Sequence, residues 1–166
     1  MFTLKPLSPA AIPHALARAE RYRLLNESWE AESICLDVLD VEPDNQEAVV
    51  MLILALTDQF RRHAAEGTDR ARALLPKLHH EYDRAYYEGI IWDRRAKALL
   101  DADEAGSGGA VYEWLRSAMD CFERAAARRS AGNDDAVLRW NTCVRLLARY
   151  PHVREPHDVY EPQMLE

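Results

Sequence analysis

The sequence predicts an all-helical domain of seven helices, and three observations carry that expectation. Apolar residues recur at helical spacing, as in Ala31, Ile34, Cys35, Val38 and Leu39. Helix-start and helix-stop residues punctuate these stripes, among them Ser8-Pro9, Ser28, Pro43, Asn133 and Pro151. One segment, AVVMLILAL, is apolar almost all round, the pattern of a helix buried on both sides.

The first helix follows Ser8-Pro9, a cap and first-turn proline, and ends near Asn26. It carries Ile12, Leu16, Ala19, Tyr22 and Leu25 near one face. Ser28 caps the second helix, whose first turn holds Glu30 and Glu32, and Pro43 stops it. Asp44 and Glu47 form a capping-box pattern for the third, which contains the apolar segment and is expected to run to about residue 65. Gly67 then closes a turn and Thr68 caps the fourth helix, with Pro76 kinking it or shifting its start. The fifth is expected from about 83 to 100, and the sixth from about 110 to 129. The stretch 101–109 contains GSGG and is expected to be a flexible loop. Asn133 caps the seventh helix, which ends before Pro151. Residues 1–150 then form one domain. Residues 151–166, with three prolines and four acids, form a tail expected on the surface or disordered.

Composition narrows the function classes. The chain has 166 residues, enough for one core without staples. Its net charge of −7 argues against nucleic acid, which needs a basic face. No apolar run reaches the roughly 18 residues that crossing a membrane requires. The N-terminus lacks an apolar stretch of signal-peptide length, so the cytoplasm is the expected compartment. Cys35, Cys121 and Cys143 sit on apolar stripes and are expected to be reduced core thiols.

One spacing adds a family. Ala15, Arg18, Ala19 and Tyr22 are followed by Ala31, Cys35 and Pro43, with nine residues from Tyr22 to Ala31 and twelve from Ala31 to Pro43. This resembles the signature of a tetratricopeptide repeat. Val49, Leu52, Ile53 and Leu56 with Ala71 and Leu75, then Trp92, Arg95, Ala96 and Leu99 with Ala118 and Phe122, resemble two degenerate repeats with long connectors. The resemblance implies three antiparallel helix pairs in a right-handed superhelix, with the seventh helix, carrying Trp140, Val144 and Leu147, as a C-terminal cap.

In that family the first helix of each pair lines a concave groove. The resemblance therefore implies a groove lined by Leu16, Glu20, Arg23 and Leu24, by Val50, Met51 and Leu54, by Arg94 and Lys97, and by Asn141 and Arg145. Its expected character is apolar in the middle and basic in its second half. A non-enzymatic adaptor, scaffold or chaperone-like module follows, binding a partner peptide with an acidic group near Arg94, Lys97 and Arg145. The alternative is a self-associating structural protein, possible as a homodimer, with the groove filled by its own tail or a dimer mate. Chaperone-binding members use a basic clamp at places where Leu16, Glu20 and Met51 stand here, so that clamp is not expected. In size, acidity and three-repeat layout the chain also resembles bacterial type III secretion chaperones of the translocator class.

Chemistry-bearing clusters are sparse. His79 and Asp83 are four apart and could share a helix face as metal ligands, but a third ligand at matching spacing is missing, so no metal is expected. No GxSxG elbow or phosphate loop occurs, and no cofactor is expected. Tyr82, Tyr86, Tyr87 and Trp92 fit core packing between helix pairs, or a partner anchor.

Overall fold

A computed structural model describes residues 2–156. These are all-helical: seven α-helices and no strand among the described residues. The helices are α1 (Ile12–Leu24), α2 (Ser28–Val41), α3 (Gln46–Asp58), α4 (Phe60–Leu74), α5 (Glu81–Asp101), α6 (Gly108–Ala126) and α7 (Asp135–Arg149). None of the helices is long and apolar enough to cross a membrane.

The ends have local causes. A 3-10 turn, Pro9–Ala11, leads into α1, where Pro13 occupies a first-turn position that has no use for an amide donor. Asn26, at φ 61°, takes the left-handed conformation that ends α1, one that asparagine tolerates. Ser28 makes no capping bond and is simply the first residue of α2. Asn45, rather than Asp44, caps α3: its side chain accepts from the Ala48 amide at 2.9 Å. Asp44 meets the ring of His79 instead, at 2.8 Å. Asn133 stands just ahead of α7, where its side chain accepts from the Asp135 amide at 3.1 Å and from the Tyr82 hydroxyl at 3.2 Å.

The main correction concerns α3 and α4. The third helix does not continue to residue 65. It stops at Asp58, and Gln59 alone links it to α4. Phe60, Ala64, Gly67, Thr68 and Ala71 then repeat at helical spacing, Ala64 half-buried and the others buried. That second stripe claims the segment for a new helix, which carries a break at His63 (φ −140°, ψ 51°). Gly67 is not a turn, because it lies inside α4 under the ring of Phe60. Thr68 is not a cap: it is buried, and its hydroxyl donates to the Ala64 carbonyl at 2.6 Å. Pro76 falls in the 3-10 turn Leu75–Lys77 that ends the helix.

Consecutive helices pack against one another, and α3 also touches α1 and α5. Polar bonds across the pairs fix their directions. Gln46, at the start of α3, donates to the Lys77 carbonyl beyond the end of α4. Arg61 near the start of α4 pairs with Asp101 at the end of α5. Arg128 and Arg124 near the end of α6 pair with Glu81 and Glu88 near the start of α5. These neighbours are therefore antiparallel.

Two main cores result. The first lies among α1 to α5 and includes Ile53, Phe60 and, from α5, Ile91. The second lies among α5 to α7 and includes Ile90, Leu115, Phe122 and Cys143. Tyr87 packs against both. Tyr82, Tyr86 and Trp92 pack against the second core, and Tyr82 stacks on Tyr86 with ring centres 5.7 Å apart.

Two glycine sites set close approaches. On α5, a Cβ at Gly89 would lie 2.6 Å from the Phe122 ring of α6. At the start of α6, a Cβ at Gly108 would lie 2.4 Å from the His152 carbonyl oxygen. The GSGG stretch is thus not all loop: its last two glycines open α6 because the segment 151–156 runs across them. Val153 of that segment is buried in the second core, so the core extends past residue 150. The rest of the expected tail, 157–166, lies outside the described residues.

Two outcomes follow. Gly89→Ala forces the Phe122 ring aside and lowers stability by about 1–3 kcal/mol, read from the urea midpoint. Cys35, Cys121 and Cys143 are free and buried, and burial pushes each thiol up from 9.0 to about 12. A raised folded-state pKa leaves stability intact below the unfolded value. Stability is therefore full below about pH 9 and falls as pH rises through about 12. Urea titrations at stepped alkaline pH check this, with the triple Cys→Ala variant showing a shallower fall.

Candidate functional site

The last two turns of α3 bring the apolar helix to a polar end. Thr57 folds its hydroxyl back to the Leu54 carbonyl at 2.9 Å, and Asp58 follows. Arg23, near the end of α1, donates through Nε to Asp58 Oδ2 at 2.7 Å. Arg94 of α5 donates to Asp58 Oδ1, to the Thr57 hydroxyl at 2.6 Å and to the Leu54 carbonyl at 3.2 Å. One carboxylate therefore ties three odd-numbered helices together. The three side chains are only 16% (Arg23), 26% (Asp58) and 23% (Arg94) exposed, so their attraction is weakly screened. Burial pulls the Arg94 guanidinium below its ordinary value, and Asp58 opposes that pull.

A second knot continues the line to α7. Asp93, on α5, is 1% exposed. Lys97 one turn on pairs with it at 2.7 Å, and Arg139 of α7 stands 3.8 Å from the same oxygen. The Cys143 thiol lies 3.8 Å from the other oxygen. Four cations, Arg23, Arg94, Lys97 and Arg139, thus face two carboxylates along one face made by α1, α3, α5 and α7. Lys97 and Arg139 keep about a third of their side chains exposed.

The expected groove residues divide accordingly. Arg23, Arg94 and Lys97 lie on this line, and Leu54 joins it through its carbonyl. Glu20 is exposed one turn before Arg23. Leu16 and Met51 do not offer an open apolar surface, because both are buried. Val50 packs against the first core and Leu54 against the second, so α3's own neighbours consume most of the expected apolar strip. Asn141 and Arg145 are not brought to the line. Each is two residues from Cys143, about 200° around the helix, and projects away from Asp93. Arg139 takes the place expected for Arg145. Leu24 stands open, 80% exposed, beside the α1–α2 turn.

Asp58, Asp93, Thr57 and Arg139 escaped sequence reasoning. Asp58 was findable, since it stands at i+7 from Met51 and i+4 from Leu54 on the face already chosen. An acid at position 93 inside the buried stripe of α5 was a further signal. His79 is engaged by Asp44, and its backbone amide donates to Gln46 at 2.9 Å. No group of three or more histidines, cysteines or acids is placed to hold a metal among the described residues.

No protein-family model, no curated protein and no solved structure matches the chain.

Asp58→Asn removes the negative charge and one of the two acceptor oxygens that Arg23 and Arg94 share, and leaves two poorly solvated guanidiniums without a counter-ion. Stability falls by about 2–3 kcal/mol, with Arg94→Ala in that background costing less than Arg94→Ala alone; a double-mutant cycle in urea measures both.

Proposed function

We propose that the chain is a non-enzymatic protein-interaction module of the tetratricopeptide type, a cytoplasmic adaptor that takes an acidic segment of a partner polypeptide along the face shared by α1, α3, α5 and α7. The charged line is the observation that carries this. It holds four cations to two carboxylates on a protein of net charge −7, a local basic surplus that favours an acidic chain. Contacts of α3 with α1 and α5 support the stacked-pair arrangement, in which a right-handed superhelix makes this face concave. The three unpaired cysteines fit a reducing compartment.

Arg23 and Arg94 hold the fold, so the partner's acid meets Lys97 and Arg139. A photo-crosslinking residue placed at Glu20 is expected to capture one partner in the native cell. The same residue at Arg145 or Asp120, off this face, is expected to capture none. Arg139→Gln is expected to weaken that complex about three- to tenfold. Equal capture from all three positions, or an unchanged complex with the Gln variant, would sink the proposal.

A second reading has its own observation. Leu24, Leu25 and Trp29 are 80%, 56% and 67% exposed around one turn, which suits self-association. A dimer in light scattering that Trp29→Ser converts to monomer would favour it over the adaptor.

A further inference from the structure

We infer that a cleft between α4, α5 and α6, on the other side of α5 from the charged line, binds small carboxylates that carry an apolar group. Arg95 is the residue that points to it. Its neighbour Arg94 turns toward Asp58, whereas Arg95, about 100° further round the helix, lies with its guanidinium over the Trp114 ring, 4.4 Å from the ring centre. Its Nε is buried and donates to no acceptor. Arg95 also forms no ion pair among the described residues, while Arg23, Arg61, Arg70, Arg94, Arg124 and Arg128 all do. A guanidinium without an oxygen partner in a desolvated wall is costly, and a carboxylate in the adjoining cleft pairs with its charge.

The cleft beside it has a volume of about 250 Å³. That is room for about eight waters, or for a carboxylate with a ring or short chain. Arg61 and Arg62 also line it. Arg61 is engaged by Asp101, and Arg62 pairs with no acid among the described residues. Glu104 is the one acid in the lining, so with Arg61 already paired to Asp101 two guanidiniums, Arg62 and Arg95, face a single carboxylate. Phe60, Leu99 and Trp114 supply the apolar wall that a bare inorganic anion would not use. The ligand is thus an organic monoanion: the carboxylate meets Arg95 and Arg62, and its apolar group lies between Phe60 and Leu99. The site shares no residue with the partner face, so it stands or falls separately from the adaptor proposal.

Benzoate, benzamide and inorganic phosphate are the probes, titrated into the full-length, nitrogen-15-labelled chain. The readouts are the Arg95 Nε–Hε and Trp114 indole N–H resonances. Benzoate is expected to shift both, with a Kd in the millimolar range or tighter. Benzamide, the same shape without the charge, is expected to bind about tenfold or more weakly. Phosphate is expected to bind more weakly than benzoate and to leave the Trp114 signal in place. Arg95→Gln is expected to cost about tenfold to a hundredfold in benzoate affinity, and Glu104→Gln to raise it. Benzamide binding as well as benzoate, phosphate binding more tightly than benzoate, or an Arg95 signal that benzoate does not move would each overturn the proposal. All three are measured on the unmodified protein, so the proposal is decided whether or not the variants fold.

Discussion

The architecture turns on one constraint, the need to cover α3 on every side. From Ala48 to Leu56 that helix has no polar residue, and eight of its thirteen residues are buried. A helix with one apolar stripe is satisfied by one neighbour, but α3 is surrounded by α1, α2, α4 and α5. Those four contacts enclose α3. The packing is therefore a consequence of a single unusually apolar helix, and the outer helices need only one buried face each.

The same constraint explains where the charges went. Once α3 is enclosed, its first polar side chains after Leu56 emerge into a narrow space between α1 and α5. An aspartate there must find partners, because a desolvated carboxylate is expensive alone. Arg23 and Arg94 answer it from both flanks. Asp93 repeats the arrangement one level on, with Lys97 and Arg139. Each carboxylate is met by two cations, which gathers four basic side chains on one face of a protein whose net charge is −7.

Much of the fold was legible, and for definable reasons. Stripes such as Ala31, Cys35 and Val38 encode burial directly, and all three are fully buried. The number of helices followed from stripes and breakers together. The boundary between α3 and α4 did not, because Thr57, Asp58 and Gln59 are no helix breakers and Gly67 is an ordinary turn signal. What decided the boundary was the position of Phe60, whose burial restarts the stripe in a new phase. The site was only half legible. Arg94 and Lys97 could be placed from helical phase alone. The phase of α7 relative to α5 could not, since it depends on Cys143 packing toward Asp93, and that is why Arg139 rather than Arg145 reaches the line. Nor could the sequence reveal that Arg95, beside Arg94, would be left without an acceptor.

The strap formed by residues 151–156 gives the chain a timing. It lies across Gly108 and Gly109, some forty residues back, and sets Val153 into the core among α5, α6 and α7. During synthesis the first core closes only once Tyr87, Ile91 and Ala98 of α5 have followed α4 out of the ribosome. The second core waits longer, because the start of α6 stays bare until all seven helices and the strap have emerged. The two cores are thus built in order of appearance, and the second is locked by the last described stretch of the polypeptide.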